Sequence, residues 1–491
     1  MKKSVLVIGG GPGGYPAAIL AARAGFEVTL VEQHALGGTC LQVGCIPSKI
    51  LLDAAKRLEH FKALRSVLTG PVPEYDYAKL IALSRERVAK ITQGLEGLVR
   101  SNGVAILKGI ATFAGYKSVL VNTGHGSLEA LTADYIIIAC GASAKVFPNI
   151  PYPHERVWTT QEALTSITPP EKILILGGGV IGCEFASFFG ALSIPTTVIE
   201  ALPRILPLED ADISTELTRA FKTRGIEIVT RRKAETIGAR NTGVHITLDD
   251  GAKYEGSHLL VAVGIVPATD ALELARAEIE VNERKFIKVE TPTYQTNVPG
   301  VYAIGDAIAI PGRQHPGLAH VASAEAEAVV AAVTGITPNP PIDYDNVPVC
   351  TFTLPEVAHV GFTKEQAETA ACQYPGHKIR EAKVKYTALG RATALGVTEG
   401  FVKLVMHQDT FREKALRRIT GAHLVGEDAA DIIHVIAEAR NAEDSLDNFK
   451  NLIFQHPTWG ELLAEAVRLC DDEAVHVRGE RSRTTGGGGK K

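Results

Sequence analysis

Runs of four or five consecutive apolar residues, each closing on glycine within a few positions, recur along the chain. They are Val5-Leu6-Val7-Ile8 before Gly9, Tyr135-Ile136-Ile137-Ile138 before Gly141, Leu259-Leu260-Val261-Ala262-Val263 before Gly264, and Val301-Tyr302-Ala303-Ile304 before Gly305. Unbroken runs of this length predict strands buried on both faces of a parallel sheet. Ser4 to Gly9 is the first, Tyr15 to Ala24 reads as a helix capped by Gly25, and Glu27 to Val31 is a second strand ending at Glu32. The same order returns as strand Lys172 to Leu176, helix Cys183 to Leu192 and strand Thr196 to Ile199 leading into Glu200. Between the two units, Leu51 to Arg65 and Asp76 to Ser101 have the 3.6-residue period of amphipathic helices, and Gly103 to Val121 reads as short strands. An Ala-rich helix is expected over Ala322 to Val333. From about Tyr344 the pattern changes to short alternating strands (Cys350 to Thr353, His359 to Gly361, Lys383 to Tyr386, Gly400 to Met406, Ile419 to Val425) with helices Lys364 to Ala371 and Ala429 to Arg440. That texture is α+β.

Each of the first two strands runs into a glycine pattern. Gly9, Gly11 and Gly14 fit G-x-G-x-x-G, and Gly177, Gly179 and Gly182 repeat it; in both units the acid follows the first glycine by 23 residues. Such a turn lets backbone approach a diphosphate that rests on the helix N-terminus, while Glu32 or Glu200 accepts hydrogen bonds from ribose hydroxyls. The chain is therefore expected to bind two dinucleotides. Glu200 would pair with a free 2′-hydroxyl and repel a 2′-phosphate, which favours NAD over NADP; Arg204, four residues on, is read as a solvated surface residue.

Composition narrows the class. The 491 residues carry 45% apolar and 22% charged side chains with a net charge of −4, enough for two to four domains and with no basic footprint for nucleic acid or an anionic membrane. No run of about 18 apolar residues suggests a membrane span. Seven cysteines, odd in number and mostly scattered, suit a reducing, cytoplasmic setting better than a disulfide framework. Two of them, Cys40 and Cys45, sit in Gly37-Gly38-Thr39-Cys40-Leu41-Gln42-Val43-Gly44-Cys45-Ile46-Pro47-Ser48-Lys49. Close spacing, flanking glycines and a proline placed to open a helix suit a redox dithiol whose thiolate the helix start favours. Inert buried thiols are the alternative on these residues alone.

Two further groups stand out. Gly305-Asp306 ends a buried strand, where a carboxylate can reach a ligand hydroxyl or cap a helix. In His456-Pro457-Thr458-Trp459-Gly460-Glu461, an imidazole able to give and take protons precedes an acid; Thr458 and Glu461 also fit a capping box, with His456 a core histidine.

The motifs at 37 to 49 and 456 to 461, with both glycine fingerprints, resemble the flavin- and pyridine-nucleotide-dependent disulfide reductases, and within them most closely the dihydrolipoamide dehydrogenases. The resemblance runs from Lys3 to about Arg468. It implies an α/β protein with two Rossmann-like domains, one for FAD and one for NAD, and a C-terminal α+β dimerisation domain. The implied division is residues 1–147 for FAD, 148–275 for NAD with its boundary among Pro148, Pro151 and Pro153, 276–345 completing the FAD domain, 346–470 for dimerisation, and 471–491 as a disordered tail.

The resemblance also implies roles. FAD would lie on Gly9, Gly11, Gly14, Gly38 and Thr39, with Glu32 on the adenosine ribose, Asp306 on the ribityl chain, and Ala111, Gly141 and Leu318-Ala319-His320 lining it. NAD would lie on Gly177, Gly179, Gly182 and Glu200, with Gly264 nearby. Cys45 would face the flavin, Cys40 would exchange with substrate, and Lys49, paired with Glu184, would stand beside the flavin. His456, oriented by Glu461, would act on the other subunit's disulfide in an obligate homodimer, and no metal is implied. The expected activity is oxidation of dihydrolipoyl groups by NAD+, with lipoyl-bearing acyltransferase subunits or a lipoyl carrier protein as partners in a 2-oxoacid dehydrogenase or glycine-cleavage complex. An NADPH-dependent disulfide or mercuric reductase and a docking subunit are the rivals; for a mercuric reductase a C-terminal cysteine pair would be expected, and only Cys470 is present. Cys140, Cys183, Trp459-Gly460 and Ile265-Val266-Pro267-Ala268 depart from the family's usual residues.

Overall fold

A computed structural model of the chain describes residues 2–71, 74–124, 127–338, 340–372, 377–409, 416–441 and 445–477. The last residues of the tail, 478–491, lie outside them. The chain forms two compact units, one of Met1–Leu202 with Ile226–Asp343, the other of Pro203–Gly225 with the chain from Tyr344 onward.

The first unit holds two five-stranded parallel sheets built alike. In one, β1 (Ser4–Ile8) lies between β2 (Glu27–Glu32) and Tyr135–Ile138, with β3 (Ala105–Lys108) and Val301–Ala303 at the edges. In the other, Ile173–Leu176 lies between Thr196–Glu200 and His258–Val261, flanked by Glu227–Thr230 and Val157–Trp158. The central strands are apolar on both faces, which leaves them nearly without solvent contact: Val7, Ile136, Ile137, Ile173 and Leu174 are all fully buried. The repeat seen along the chain is thus a repeat of topology.

Parallel register then places function. Ile8 pairs with Val31 and with Ile138, and Ala303 pairs with Ile138. Gly9, Glu32, Gly141 and Asp306 therefore leave the sheet at one edge, the carboxyl edge. Leu176 pairs with Val261 and is in register with Ile199, which brings Gly177, Glu200 and Gly264 to the same edge of the second sheet.

Helices lie on either side of β2 in sequence. The helix α1 (Gly14–Arg23) precedes that strand, and α2 (Gly38–Val43), α3 (Cys45–Ala63) and α4 (Tyr77–Ser101) follow it. The third helix starts six residues earlier than its amphipathic period indicates. Gly44 breaks it from α2, and Pro47 sits in its first turn, where a missing N–H removes no helical hydrogen bond. Asp76 caps α4 by accepting from the Lys79 amide at 3.0 Å. Strand Leu128–Thr132 went unforeseen, being mostly exposed and carrying no apolar alternation.

The second unit is a five-stranded antiparallel sheet in the order Val349–Thr351, Glu356–Gly361, Leu416–Gly426, Phe401–Asp409, His377–Lys385. One face carries the apolar core, in which Leu404 and Leu424 meet Ile433, Leu462 and Val467. Helix Glu461–Leu469 supplies the last two. Helix Ala211–Thr223 belongs to this unit as well, and it is held by charge: Lys403, 5% exposed, donates to both carboxylate oxygens of Asp210 at 3.1 Å and to Asp212 at 3.1 Å. Among the described residues no helix is long and apolar enough to cross a membrane.

Candidate active site

The redox motif folds as two helices meeting at a bend. Cys40 lies within α2, and Cys45 is the first residue of α3, at an end where unpaired amides favour negative charge. Both are thiols here, and the Cys40 thiol hydrogen-bonds to the Cys45 sulfur. That bond, with Lys49 one turn along, holds Cys45 down to about 7 against the upward pull of burial and of Glu184. The same bond and burial push Cys40 well above the ordinary thiol range. The reduced pair is therefore asymmetric, Cys45 giving up its proton more readily than Cys40.

Lys49 does not point to solvent alone. Its Nζ meets the two Glu184 oxygens at 2.8 and 2.9 Å, across 135 residues, and Glu184 is buried on the helix of the second glycine unit. This brings together two residues that no local pattern connects.

Both glycine turns have the expected form. A Cβ on Gly14 would lie 1.8 Å from the Gly9 carbonyl oxygen, and one on Gly182 would lie 2.0 Å from that of Gly177, so helix and strand touch only because neither carries a side chain. A Cβ on Gly179 would meet nothing within 4 Å, and one on Gly11 would meet only the Gly38 Cα, at 3.7 Å. The mouths of both turns are thus open to phosphate oxygens, and the site fits a dinucleotide on each. Glu32 accepts from the Gly10 amide at 2.7 Å and the His34 amide at 2.8 Å. Glu200 does the same with Gly178 at 2.6 Å and Leu202 at 2.7 Å. The two acids are fixed to their turns by identical bonds.

The remaining first-unit residues fall around these mouths. Thr39 is exposed beside Cys40, Ala111 is buried in strand Ile110–Gly115, and Leu318-Ala319-His320 opens helix Ala319–Val333 with His320 exposed. Burial raises the Asp306 carboxyl, with His315 acting downward and Glu325 upward. Gly141 and Gly264 flank a two-stranded ribbon in which Ile265 pairs with Ala144 and Pro267 with Ala142. The unusual Ile265–Pro267 stretch is one strand of that ribbon. Cys140 is pushed up to about 12 by burial, and Cys183 is buried and donates to the Gly178 carbonyl at 3.3 Å. Neither behaves as a second nucleophile.

Sequence reasoning missed the brace behind the redox bend. Gln42 donates to the Leu36 carbonyl and the Thr92 hydroxyl, each at 2.8 Å, while Arg85 donates to the Gln42 carbonyl at 2.5 Å. Arg85 and Thr92 lie on α4, 43 and 50 residues away, with nothing in their neighbours to mark them.

In the second unit His456 Nδ1 meets Glu461 Oε2 at 2.8 Å with the imidazole 76% exposed. Glu461 Oε1 accepts from the Thr458 amide at 2.7 Å, while the Thr458 hydroxyl turns to the Gln455 carbonyl. Only half of a capping box forms, and Glu461's other oxygen goes to the histidine. Burial works to raise Glu461, but the His456 and Thr458 hydrogen bonds hold it below the usual carboxylate range. The exposed ring is not a core histidine. Trp459 is the buried anchor, packed 5.2 Å from the Tyr386 ring with the Arg391 guanidinium 5.0 Å over it.

Comparison with known proteins agrees with this arrangement. Residues 3–326 match the family described as pyridine nucleotide-disulphide oxidoreductase, and residues 347–467 match its dimerisation domain. The dihydrolipoyl dehydrogenase of Zymomonas mobilis is 36% identical over 96% of this chain and 98% of its own length, and that of Bacillus subtilis is 35% identical over 97% and 98%. Among solved structures, LpdA of Mycobacterium tuberculosis superposes with a TM-score of 0.84 at 25% identity over 95% of this chain and 99% of its own. The flavoprotein disulfide reductase RclA of Escherichia coli gives 0.81 at 27% identity over 95% and 99%. With its two nucleotide turns, its thiol pair and its dimerisation domain, the chain belongs to the pyridine nucleotide-disulphide oxidoreductase family.

Proposed function

We propose that the chain is an FAD-dependent dihydrolipoyl dehydrogenase that works as a homodimer, oxidising protein-bound dihydrolipoyl groups with NAD+. The observation that carries the reading is the placement of the thiol pair: Cys40 lies in one short helix, and Cys45 opens the next, with Lys49 one turn along, an arrangement that lowers Cys45 and raises Cys40. An exchange site needs that difference, because one sulfur meets substrate and the other passes electrons on.

The reaction begins with the pair oxidised. A substrate thiolate attacks Cys40, the Cys40–Cys45 bond breaks, and Cys45 leaves as thiolate. The second substrate thiol then attacks its partner sulfur, closing the substrate disulfide and releasing Cys40, which takes a proton. His456 of a second copy, steadied by Glu461, takes the first thiol's proton and serves the exchange as acid and base. Of the two protons lost by the dithiol, one rests on Cys40 and one on that imidazole. FAD would supply the two-electron chemistry that links Cys45 to NAD+. Gly9, Gly11, Gly14, Gly38, Thr39, Glu32, Ala111, Gly141, Asp306 and the Leu318–His320 turn would hold it. Lys49 and Glu184 would pair beside it.

NAD+ rather than NADP+ is favoured by Glu200 and by Arg204, whose guanidinium donates to the Pro207 and Glu209 carbonyls. Against a mercuric reductase stands Cys470, buried and raised to about 12, with no cysteine beside it. We assign residues 1–147 and 276–345 to FAD, 148–275 to NAD and 346–470 to the dimer contact, and place the protein in the cytoplasm with lipoyl-bearing acyltransferases or a lipoyl carrier as partners.

Replacing Cys45 by Ser tests the reading. Dithiol oxidation should vanish while FAD stays bound. A Cys45→Ser protein that still oxidises dihydrolipoamide would overturn it. A pull-down of a lipoyl-bearing core by that inactive variant would show docking apart from turnover.

A further inference from the structure

Two segments that the proposed FAD site uses, the Gly305-Asp306 turn and the Leu318–His320 turn, are short and held by few local bonds of their own. One is a single 3-10 turn after a three-residue strand, and the other is the entry to a helix that has no side-chain cap. Between them lies His315, which no feature of the sequence singled out. Its imidazole is almost wholly enclosed, with its side chain 6% exposed, and it faces Glu325, which is 0% exposed.

The hydrogen bonds around this ring fix its proton. The Gly317 amide donates to His315 Nδ1 at 3.0 Å, so Nδ1 is an acceptor and the ring proton sits on Nε2. Nε2 then donates to Glu325 Oε1 at 2.9 Å. The other Glu325 oxygen, Oε2, accepts from the Gly305 amide at 2.7 Å. A continuous chain results: Gly317 amide, His315 ring, Glu325 carboxylate, Gly305 amide. Its ends are the residues immediately before Leu318 and immediately before Asp306. The Asp306 carboxylate oxygen lies 4.0 Å from where a Cβ on Gly317 would be, so the two turns stand side by side. The helix that carries Glu325 is also tied to the first glycine turn, since Ser323 donates to the Pro12 carbonyl at 2.9 Å.

We propose that His315 is a positioning residue for the flavin: it clamps the Asp306 turn to the Leu318–His320 turn through Glu325 and so sets the site's ribityl-side wall. A buried carboxylate shared by a ring N–H and a backbone N–H is stable only while both donors stay in place. Losing the ring therefore frees the Gly317 amide and leaves Glu325 one donor short, and both turns can move. Neither bond alone joins them.

The inference rests on FAD occupying the first unit, and the experiment separates the two ideas. The purified wild-type holoenzyme is compared with His315→Ala, His315→Gln and His315→Asn. Glutamine can keep the donor to Glu325, and asparagine can keep the acceptor for Gly317. The readouts are the rate of FAD release on dilution and the visible circular dichroism of the bound flavin, with far-ultraviolet melting to confirm folding. His315→Ala should release FAD at least tenfold faster and change the flavin band, while Gln and Asn should each recover only part of the loss. Wild-type release and spectrum in His315→Ala would overturn the proposal. Full recovery by Gln or by Asn alone would overturn it too, since a single bond would then suffice. Should the alanine variant fail to fold, the two conservative variants decide the question by the same criterion. A wild-type protein that carries no flavin would instead refute the reading of the first unit.

Discussion

Lys49 and Glu184 act on Cys45 from opposite directions, the ammonium lowering the thiol and the carboxylate raising it. Removing the ammonium leaves the Cys40 hydrogen bond to act against burial and the carboxylate. For Lys49→Met we expect the Cys45 midpoint to rise above about 7. Because a lowered thiol pKa means thiolate above it, alkylation of the reduced protein by iodoacetamide should climb through neutral pH in the wild type and only at more alkaline pH in the variant. Cys40, raised by its hydrogen bond to Cys45 and by burial, should stay unreactive across that range. At the other motif, Glu461→Gln keeps the size of the side chain but removes the charge that stabilises a protonated His456. Steady-state kinetics with a dithiol substrate should show kcat falling about ten- to a hundredfold with FAD content unchanged. An unchanged kcat would mean that the acid only holds the Thr458 turn.

Elements explain what the sequence could and could not disclose. The parallel strands and both glycine turns were legible because burial on two faces writes an unbroken apolar run, and a close helix–strand approach demands glycine at Gly14 and Gly182. Helix Glu461–Leu469, not among the expected elements, carries Leu462, Leu463, Ala466 and Val467 on its buried face. Other features had no local signal. Arg85 reaches Gln42 over 43 residues, so only folding reveals that pair, whereas Lys49 with Glu184, 135 residues apart, is implied by the family resemblance and by no local pattern. Helix Ala211–Thr223 follows the second glycine unit in sequence, yet its contacts lie with the antiparallel sheet through Lys403 and Asp210. That pair is buried, so breaking it leaves an uncompensated charge. Lys403→Met should destabilise the second unit by about 3 kcal/mol, seen as a lower melting temperature by calorimetry. Lys383→Met, whose ammonium is 38% exposed beside Asp212, should cost under about 1 kcal/mol.

At the scale of the whole molecule, the family's dimerisation domain and the exposed His456 make the proposed two-copy site testable. The thiol pair belongs to the first unit and the imidazole to the second. If each site takes its thiols from one copy and its imidazole from the other, two dead variants can rescue each other. Refolding an equal mixture of Cys45→Ser and His456→Gln should restore about a quarter of wild-type activity, since half the dimers are hybrids and each hybrid has one intact site. Activity no higher than the sum of the separate variants would place both groups on one chain.

The central claim is that this site oxidises a small dithiol and hands its electrons to NAD+. Initial rates with dihydrolipoamide and NAD+, set beside initial rates with oxidised glutathione and NADPH, test it most directly. A strong preference for the first pair is predicted; a clear preference for the second would contradict the account.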